Sequence, residues 1–233
     1  MNNTILFRKS LGFTLVEMAV VLIIAAFLLG GLLAPITAQQ DIRNLEATRV
    51  SLKTINEALQ GFAVLNGRLP CPSTQADPTH ANYGLEDATC SASYAAEGYL
   101  PWRTLGVAET DEWGARRTAT ASNWNGYWRY RIDRNYTTTT GFSTNILATT
   151  ATYGDTLSVR DSAGNTISST VERPIAIIFS TGKDMTANGN NASFEATAGV
   201  YESNPNSTAF DDILTWIARP TLVNRLVAAG KLP

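Results

Sequence analysis

The sequence predicts an α+β chain, a long N-terminal helix laid on a small, mainly antiparallel sheet. Three observations carry that expectation. Residues 13–36 are almost entirely Leu, Ile, Val, Ala, Phe and Gly, with Glu17 as the only charge. Across residues 39–66 the apolar positions recur at helical spacing, the mark of an amphipathic helix. Beyond Pro70 and Pro72, turn residues separate short stretches that alternate with a period of two, as half-buried strands do.

The apolar run is long enough to cross a bilayer, for which about 20 residues suffice. A carboxylate within it is unfavourable, by roughly 2.5–3.5 kcal/mol at a helix centre and less near an interface. Glu17 lies near the start of the run, so it calls for a functional role with a named partner. Gly30, Gly31 and Pro35 fall late in the run and weaken helix. They predict a kink or a locally meltable segment, with a static bend as the alternative.

In the amphipathic stretch, Ile42, Leu45, Leu52, Leu59 and Phe62 form one heptad-like seam, with Ile55 beside it. Asp41, Arg43, Glu46, Lys53 and Glu57 take the other faces. Asn66-Gly67 supplies the stop, and Pro70 and Pro72 prevent resumption. Either one helix runs from the apolar run to this stop, or a separate anchor is hinged to a globular part at Pro35.

Residues 69–118 read as loop-rich, with Trp102 and Trp113 as buried anchors between turns. Residues 128–133 read as a strand: Trp128, Tyr130 and Ile132 on one face alternate with Arg129, Arg131 and Asp133 on a solvated one. Residues 136–152 are rich in Thr and poor in charge, which suggests a loop or irregular edge. Residues 156–159 and 166–171 flank Asp161-Ser162-Ala163-Gly164-Asn165, a hairpin turn pattern. Pro174-Ile175-Ala176-Ile177-Ile178-Phe179 is the most apolar strand and the expected centre of a four-stranded sheet. A long loop over residues 182–207 leads to Asp211-Asp212-Ile213-Leu214-Thr215-Trp216. Loops of that length are usually functional or pinned. Thr221 is placed to cap a last helix over residues 222–229, stopped by Gly230.

A length of 233 residues accommodates one membrane helix and one ordinary globular domain. The formal charge of −2 gives no electrostatic footprint for nucleic acid. Arg116, Arg117, Arg129, Arg131 and Arg134 do interleave with Trp124, Tyr127, Trp128 and Tyr130, a pattern that suits single strands. The strict alternation within 128–133 favours core packing under a solvated edge, so nucleic acid is not an expected partner. The single histidine, His80, and the absence of a His/Cys/carboxylate cluster at ligand spacing argue against a zinc site or a His-based triad. No enzyme is expected. Cys71 and Cys90 would most simply pair in an oxidising compartment, with two free buried thiols as the alternative.

Gly12 followed by Phe13-Thr14-Leu15-Val16-Glu17, behind a short leader carrying Arg8 and Lys9, resembles the type III signal sequence of type IV pilins and type II secretion pseudopilins. That resemblance implies a pilin-like fold and cleavage by a prepilin peptidase between Gly12 and Phe13, with N-methylation of Phe13. It implies a cleaved leader over 1–12, a transmembrane and filament-core helix segment over 13–38, and a periplasmic globular domain over 39–233 that includes the amphipathic helix 39–66. Glu17 would face the terminal amine of a neighbouring subunit, so that two charges each unfavourable in lipid become tolerable together. The implied partners are the prepilin peptidase, other pilin or pseudopilin subunits, an inner-membrane assembly platform and membrane lipid. The implied location is the bacterial inner membrane, single-pass with a periplasmic C-terminal domain, and then a pilus or periplasmic pseudopilus.

The segments Leu69-Pro70-Cys71-Pro72, Leu100-Pro101-Trp102 and Asp111-Glu112-Trp113-Gly114 look like pseudopilin and minor-pilin segments too. In major pseudopilins a similar loop ends in Asp-x-Asp-Ile-x-x-Trp and holds calcium. Here Asp212, Ile213 and Trp216 match, Asp211 is an additional carboxylate, and Phe210 replaces the first Asp. Asp211, Asp212 and loop carbonyls would supply the oxygens that calcium prefers, unless the pair only caps a short helix. Three other readings compete: a secretory signal cleaved after Ala38, a plain single-pass anchor, and an anchored or secreted adhesin or DNA-uptake receptor using the aromatic and Thr-rich surface.

Overall fold

The computed structural model describes residues 12–88, 98–118, 124–149, 153–169, 172–193 and 199–232; the side chains of residues 29–36 and 193 lie outside that description. Contacts divide the chain into two units, Met1–Arg43 and Asn44–Pro233. Helix α1 (Leu15–Asn66) begins in the first unit and continues into the second. Its backbone stays helical across Gly30, Gly31 and Pro35, where a kink or a locally meltable segment is expected. A proline deletes one backbone donor, and the turns on either side carry the helix on.

Within the second unit α1 buries Thr48, Leu52, Ile55, Leu59 and Ala63. The expected seam is thereby corrected: Ile42 is 61% exposed, and Leu45 and Phe62 are half-buried. Positions seven apart drift around a straight helix, because 3.6 residues per turn does not divide seven. Spacings of three and four keep to one face. The helix stops as expected at Asn66, where Gly67 adopts a φ of 63° and its N–H donates to the Ala63 carbonyl at 2.9 Å.

Beyond α1 come the short α2 (Trp102–Leu105), β1 (Arg129–Ile132), α3 (Thr139–Ile146), β2 (Ser158–Arg160), β3 (Pro174–Ser180), β4 (Val200–Glu202), β5 (Ile213–Ala218) and α4 (Arg219–Ala228). The main sheet has the order β1-β3-β5 with both pairings antiparallel. β3 is central and wholly buried, as its continuous apolar run suggests. Ile178 joins the core on the α1 side with Leu59, Trp128, Tyr130, Ile132 and Ile217. Ile177 and Phe179 face a second core with Leu157, Val159 and Tyr201.

Among the described residues that sheet has three strands rather than the expected four. β2 instead pairs in parallel with β4, Val159 opposite Tyr201, in a separate two-stranded sheet. The turn at residues 161–165 forms, with the Asp161 N–H donating to the Asn165 carbonyl at 2.9 Å. Among the described residues its return arm forms no strand: after one bridge between Arg160 and Thr166, the Ser168 hydroxyl accepts the Val159 N–H at 3.0 Å. A side chain has taken the place of a ladder partner.

Four more expectations need correction. Arg131 and Asp133 are not on a solvated face; both are buried. The loop carrying Gly154 and Asp155 covers them, and Asp133 accepts the N–H groups of Asn135, Gly154 and Asp155 at 2.9, 3.0 and 3.1 Å. Trp102 is a core anchor with Tyr83, Tyr99, Trp124 and Tyr127, but Trp113 is only half-buried. It sits in a turn whose Trp113 and Gly114 N–H groups donate to the Asp111 carboxylate. Within the Thr-rich stretch α3 replaces the expected loop. Thr138 caps it by accepting the Gly141 N–H at 3.1 Å, and Phe142 and Ile146, four apart, enter the core. Finally α4 starts at Arg219 rather than behind Thr221, because Pro220 already fixes the first helical turn.

Candidate functional site

The N-terminal segment is built around a reciprocal cap. The backbone N–H and the hydroxyl of Thr14 both donate to Glu17 Oε2 at 3.0 Å, and the Glu17 N–H donates to Thr14 Oγ1 at 3.2 Å. This is a capping box: two donors left over at a helix start are satisfied by the side chains that start it. Sequence reasoning singled out Glu17 and missed Thr14, although Thr14-x-x-Glu17 carries the capping-box signature. Gly12 is exposed, and a side chain there would meet nothing within 4 Å. Arg8 and Lys9 lie outside the described residues.

Following the cap, α1 presents apolar side chains all round: Leu15, Val16, Leu22, Ile23 and Phe27 are each more than half exposed, as is Phe13 just ahead of the cap. A helix apolar on every face belongs in lipid or inside a bundle. Among the described residues no helix is long and apolar enough to cross a membrane. The expected span over 13–38 includes residues 29–36, whose side chains lie outside the description, so the described apolar stretch is shorter than a bilayer requires.

The second cluster lies where the loop after β3 meets the start of β5. Asp212 is buried; its Oδ2 accepts the Asn188 N–H and the Asn191 side-chain amide, both at 2.9 Å. Asp211 Oδ2 accepts the Asp184 N–H at 2.9 Å, and the Asp211 N–H donates to Asn188 Oδ1 at 2.9 Å. Asp211 Oδ1 and Asp212 Oδ1 are buried without a hydrogen-bond partner. Burial, only partly offset by those amides and reinforced by the charges of Asp211 and Asp184, pushes the Asp212 carboxyl up to about 7. Backbone strain accompanies the cluster at Met185, whose φ is 58°, while Gly182 takes a φ of 63° without it. These are hard oxygen donors, the chemistry that suits calcium. Among the described residues no group of three or more His, Cys, Asp or Glu is placed to hold a metal, so a cation here would draw on amide and backbone oxygens as well. The alternative role as a helix cap is not what the geometry gives, because Asp211 and Asp212 lead into strand β5.

The other singled-out residues have structural surroundings. Cys71 is buried beside the Arg68–Glu86 ion pair at 2.8 Å, its N–H donating to Glu86; Cys90 lies outside the described residues. His80 is exposed and its Nδ1 accepts the Asn82 N–H in a turn. The rings that could have stacked on bases are inside the protein: Trp124 and Tyr99 stack with centroids 3.9 Å apart, Arg117 lies 3.9 Å over Trp124 and Arg129 4.6 Å over Tyr99. Arg131 and Arg134 engage Asp155 at 3.4 and 2.8 Å.

Fold and site together define an α+β protein whose long N-terminal helix opens with a capped, apolar, exposed segment, the architecture of a pilin-like fold. Residues 7–33 match the model of the prokaryotic N-terminal methylation motif. That motif is the signature of the prepilin-type signal sequences of type IV pilins and pseudopilins, and the chain carries it. The match takes in Gly12, Phe13 and Glu17 and reaches into the first part of α1. No curated protein and no solved structure shows significant similarity to the chain.

Proposed function

We propose that the chain is a filament subunit, a minor pilin or pseudopilin of a type IV pilus or a type II secretion filament. The methylation motif over residues 7–33 is the observation that carries this reading. Prepilin peptidase cuts between Gly12 and Phe13 and methylates the new Phe13 amine. The apolar segment 13–38 holds the subunit in the inner membrane until assembly, and the sheet-bearing domain stands in the periplasm with Cys71 paired to Cys90. An assembly platform then extracts the helix, which packs with those of other subunits, and Glu17 meets a neighbour's Phe13 amine. The exposed apolar faces of Leu15, Val16, Leu22 and Phe27 support this role, since a bundle of such helices removes them from water. Its work is structural rather than catalytic. Calcium bound by Asp211 and Asp212 would tie the loop after β3 to β5.

Intact mass and N-terminal sequencing of the cellular protein, with and without prepilin peptidase, test the reading. A chain that begins with methylated Phe13 only when the peptidase is present is the expected result. A chain beginning at Gln39, or an uncleaved Met1 in both strains, would overturn it.

A further inference from the structure

A polar groove of about 290 Å³ runs beside β2, lined by Thr156, Ser158, Arg160, Thr166 and Arg173 among others. Its lining holds two guanidinium groups and several hydroxyls but no carboxylate. Neither arginine has an ion-pair partner among the described residues, although acids lie close in the chain. Glu202 stands opposite Arg160 in the β2–β4 register, yet its carboxylate accepts from the Asn190 N–H at 3.0 Å and the Asn204 amide at 2.5 Å. Asp161 is spent on the backbone and side chain of Asn165. Asp155 is held by Arg134 and Arg131. Arg173 is braced from the side, its guanidinium 5.6 Å from the Tyr153 ring. The floor is fixed as well: Ser168 is buried with its hydroxyl accepting the Val159 N–H.

We propose that this groove is a subsite for a tetrahedral oxyanion, a phosphate or sulfate group carried on a polar ligand, clamped between Arg160 and Arg173 with the hydroxyls of Ser158 and Thr166 as further donors. Planar guanidinium forks present paired N–H groups that match the oxygens of such an anion. Hydroxyls complete its hydrogen bonding without adding charge. The carboxylates of Glu202, Asp161 and Asp155, which would otherwise neutralise the arginines, are turned to amides or to other arginines. The groove is larger than the ion alone, leaving room for the polar body that bears it.

The full-length chain in a zwitterionic detergent, labelled with ¹⁵N-arginine, is titrated with inorganic phosphate and inorganic sulfate against chloride at matched ionic strength. Saturable shifts of the Arg160 and Arg173 side-chain signals are expected, with exposed Arg116 unmoved. Arg160→Gln and Arg173→Gln should each raise the half-saturation concentration roughly tenfold, the loss of one charge-assisted contact. Glucose 6-phosphate and glucose 6-sulfate form the second arm. Tighter binding of the esters identifies a sugar-borne anion as the ligand, and equal binding identifies the free ion; both support the oxyanion assignment. Shifts reproduced by chloride, or half-saturation unchanged in both variants, would overturn it.

Discussion

Asp212→Asn tests the proposed calcium site. The wild-type loop leaves two carboxylate oxygens, Asp211 Oδ1 and Asp212 Oδ1, buried and without donors. Calcium sites in extracellular modules bind at about 10⁻⁴–10⁻³ M. At a free concentration about a hundredfold above the tighter value, linkage gives about 2.7 kcal/mol of stabilisation. For a domain of this size that raises Tm by roughly 5–10 °C. In EDTA the variant should be no less stable than wild type, because an amide oxygen still accepts from Asn188 and Asn191 while an unpaired buried charge disappears. With calcium its Tm should hardly move. The assay is thermal unfolding of the full-length protein in detergent, followed by circular dichroism at pH 7.5, with calcium, magnesium or EDTA. A wild-type Tm indifferent to calcium would refute the site; so would an equal calcium shift in Asp212→Asn.

Three further outcomes follow from the packing. Leu59→Ala should lower stability by about 2–5 kcal/mol, while Ile42→Ala, at an exposed position, should stay within error in denaturant titrations; equal losses would contradict the observed α1 stripe. Thr138→Ala should lose the α3 cap, about 1 kcal/mol, and Thr138→Ser should recover most of it in the same titrations. Asp155 is a carboxylate whose burial opposes its charge but whose bonds to Arg134, with Arg131 nearby, hold its pKa below the ordinary value. Its contribution is therefore complete above the unfolded carboxylate value of about 3.9 and lost as pH falls through the lower folded value. Asp155→Asn should lose about 3 kcal/mol at pH 7, the penalty of leaving Arg131 buried beside a neutral group. That difference from wild type should shrink towards pH 3, and a gap independent of pH would defeat the ion-pair account.

The parts of this fold that were legible in the sequence are those in which a local pattern coincides with the tertiary one. β3 reads as central because an uninterrupted apolar run suits only a strand covered on both faces. Gly67 and Gly230 mark helix ends because a left-handed conformation belongs there. Where long-range contacts decide, the pattern misleads. Arg131 and Asp133 alternate with aromatics as a solvated face would, and nothing local shows that a loop some twenty residues on supplies a carboxylate and two backbone donors. The choice of β4 as the partner of β2 was hidden for the same reason. α3 was hidden by composition: the four consecutive threonines at 137–140 argue against helix, and the i, i+4 pair Phe142–Ile146 matters only once a core receives it. At the candidate sites the carboxylates Asp211 and Asp212 were visible, but the Asn188 and Asn191 amides that orient them come from a loop with no periodicity to read.

The cap at the start of α1 bears on why a filament subunit would keep a glutamate in an apolar run. In the isolated chain Glu17 is not unsatisfied; Thr14 gives it two donors, and its acidity suits the positive end of the helix. One of those donors is the N–H of the Phe13–Thr14 peptide, which lies beyond the proposed cut between Gly12 and Phe13. Processing therefore leaves the capping box whole and places a new cationic amine one residue ahead of it. Within the proposed filament, Glu17 could accept that amine from a neighbour with one lone pair while Thr14 keeps another, since a carboxylate offers about four acceptor positions. Pairing between subunits would then add to the helix cap instead of replacing it. Thr14→Val separates the two roles. It removes the hydroxyl donor and the acceptor for the Glu17 N–H, but leaves the backbone donor and the carboxylate. Filament incorporation measured for Thr14→Val and Glu17→Val should show the larger loss for Glu17→Val, with processing intact in both. Equal incorporation of Glu17→Val and wild type would mean that the glutamate serves the helix alone.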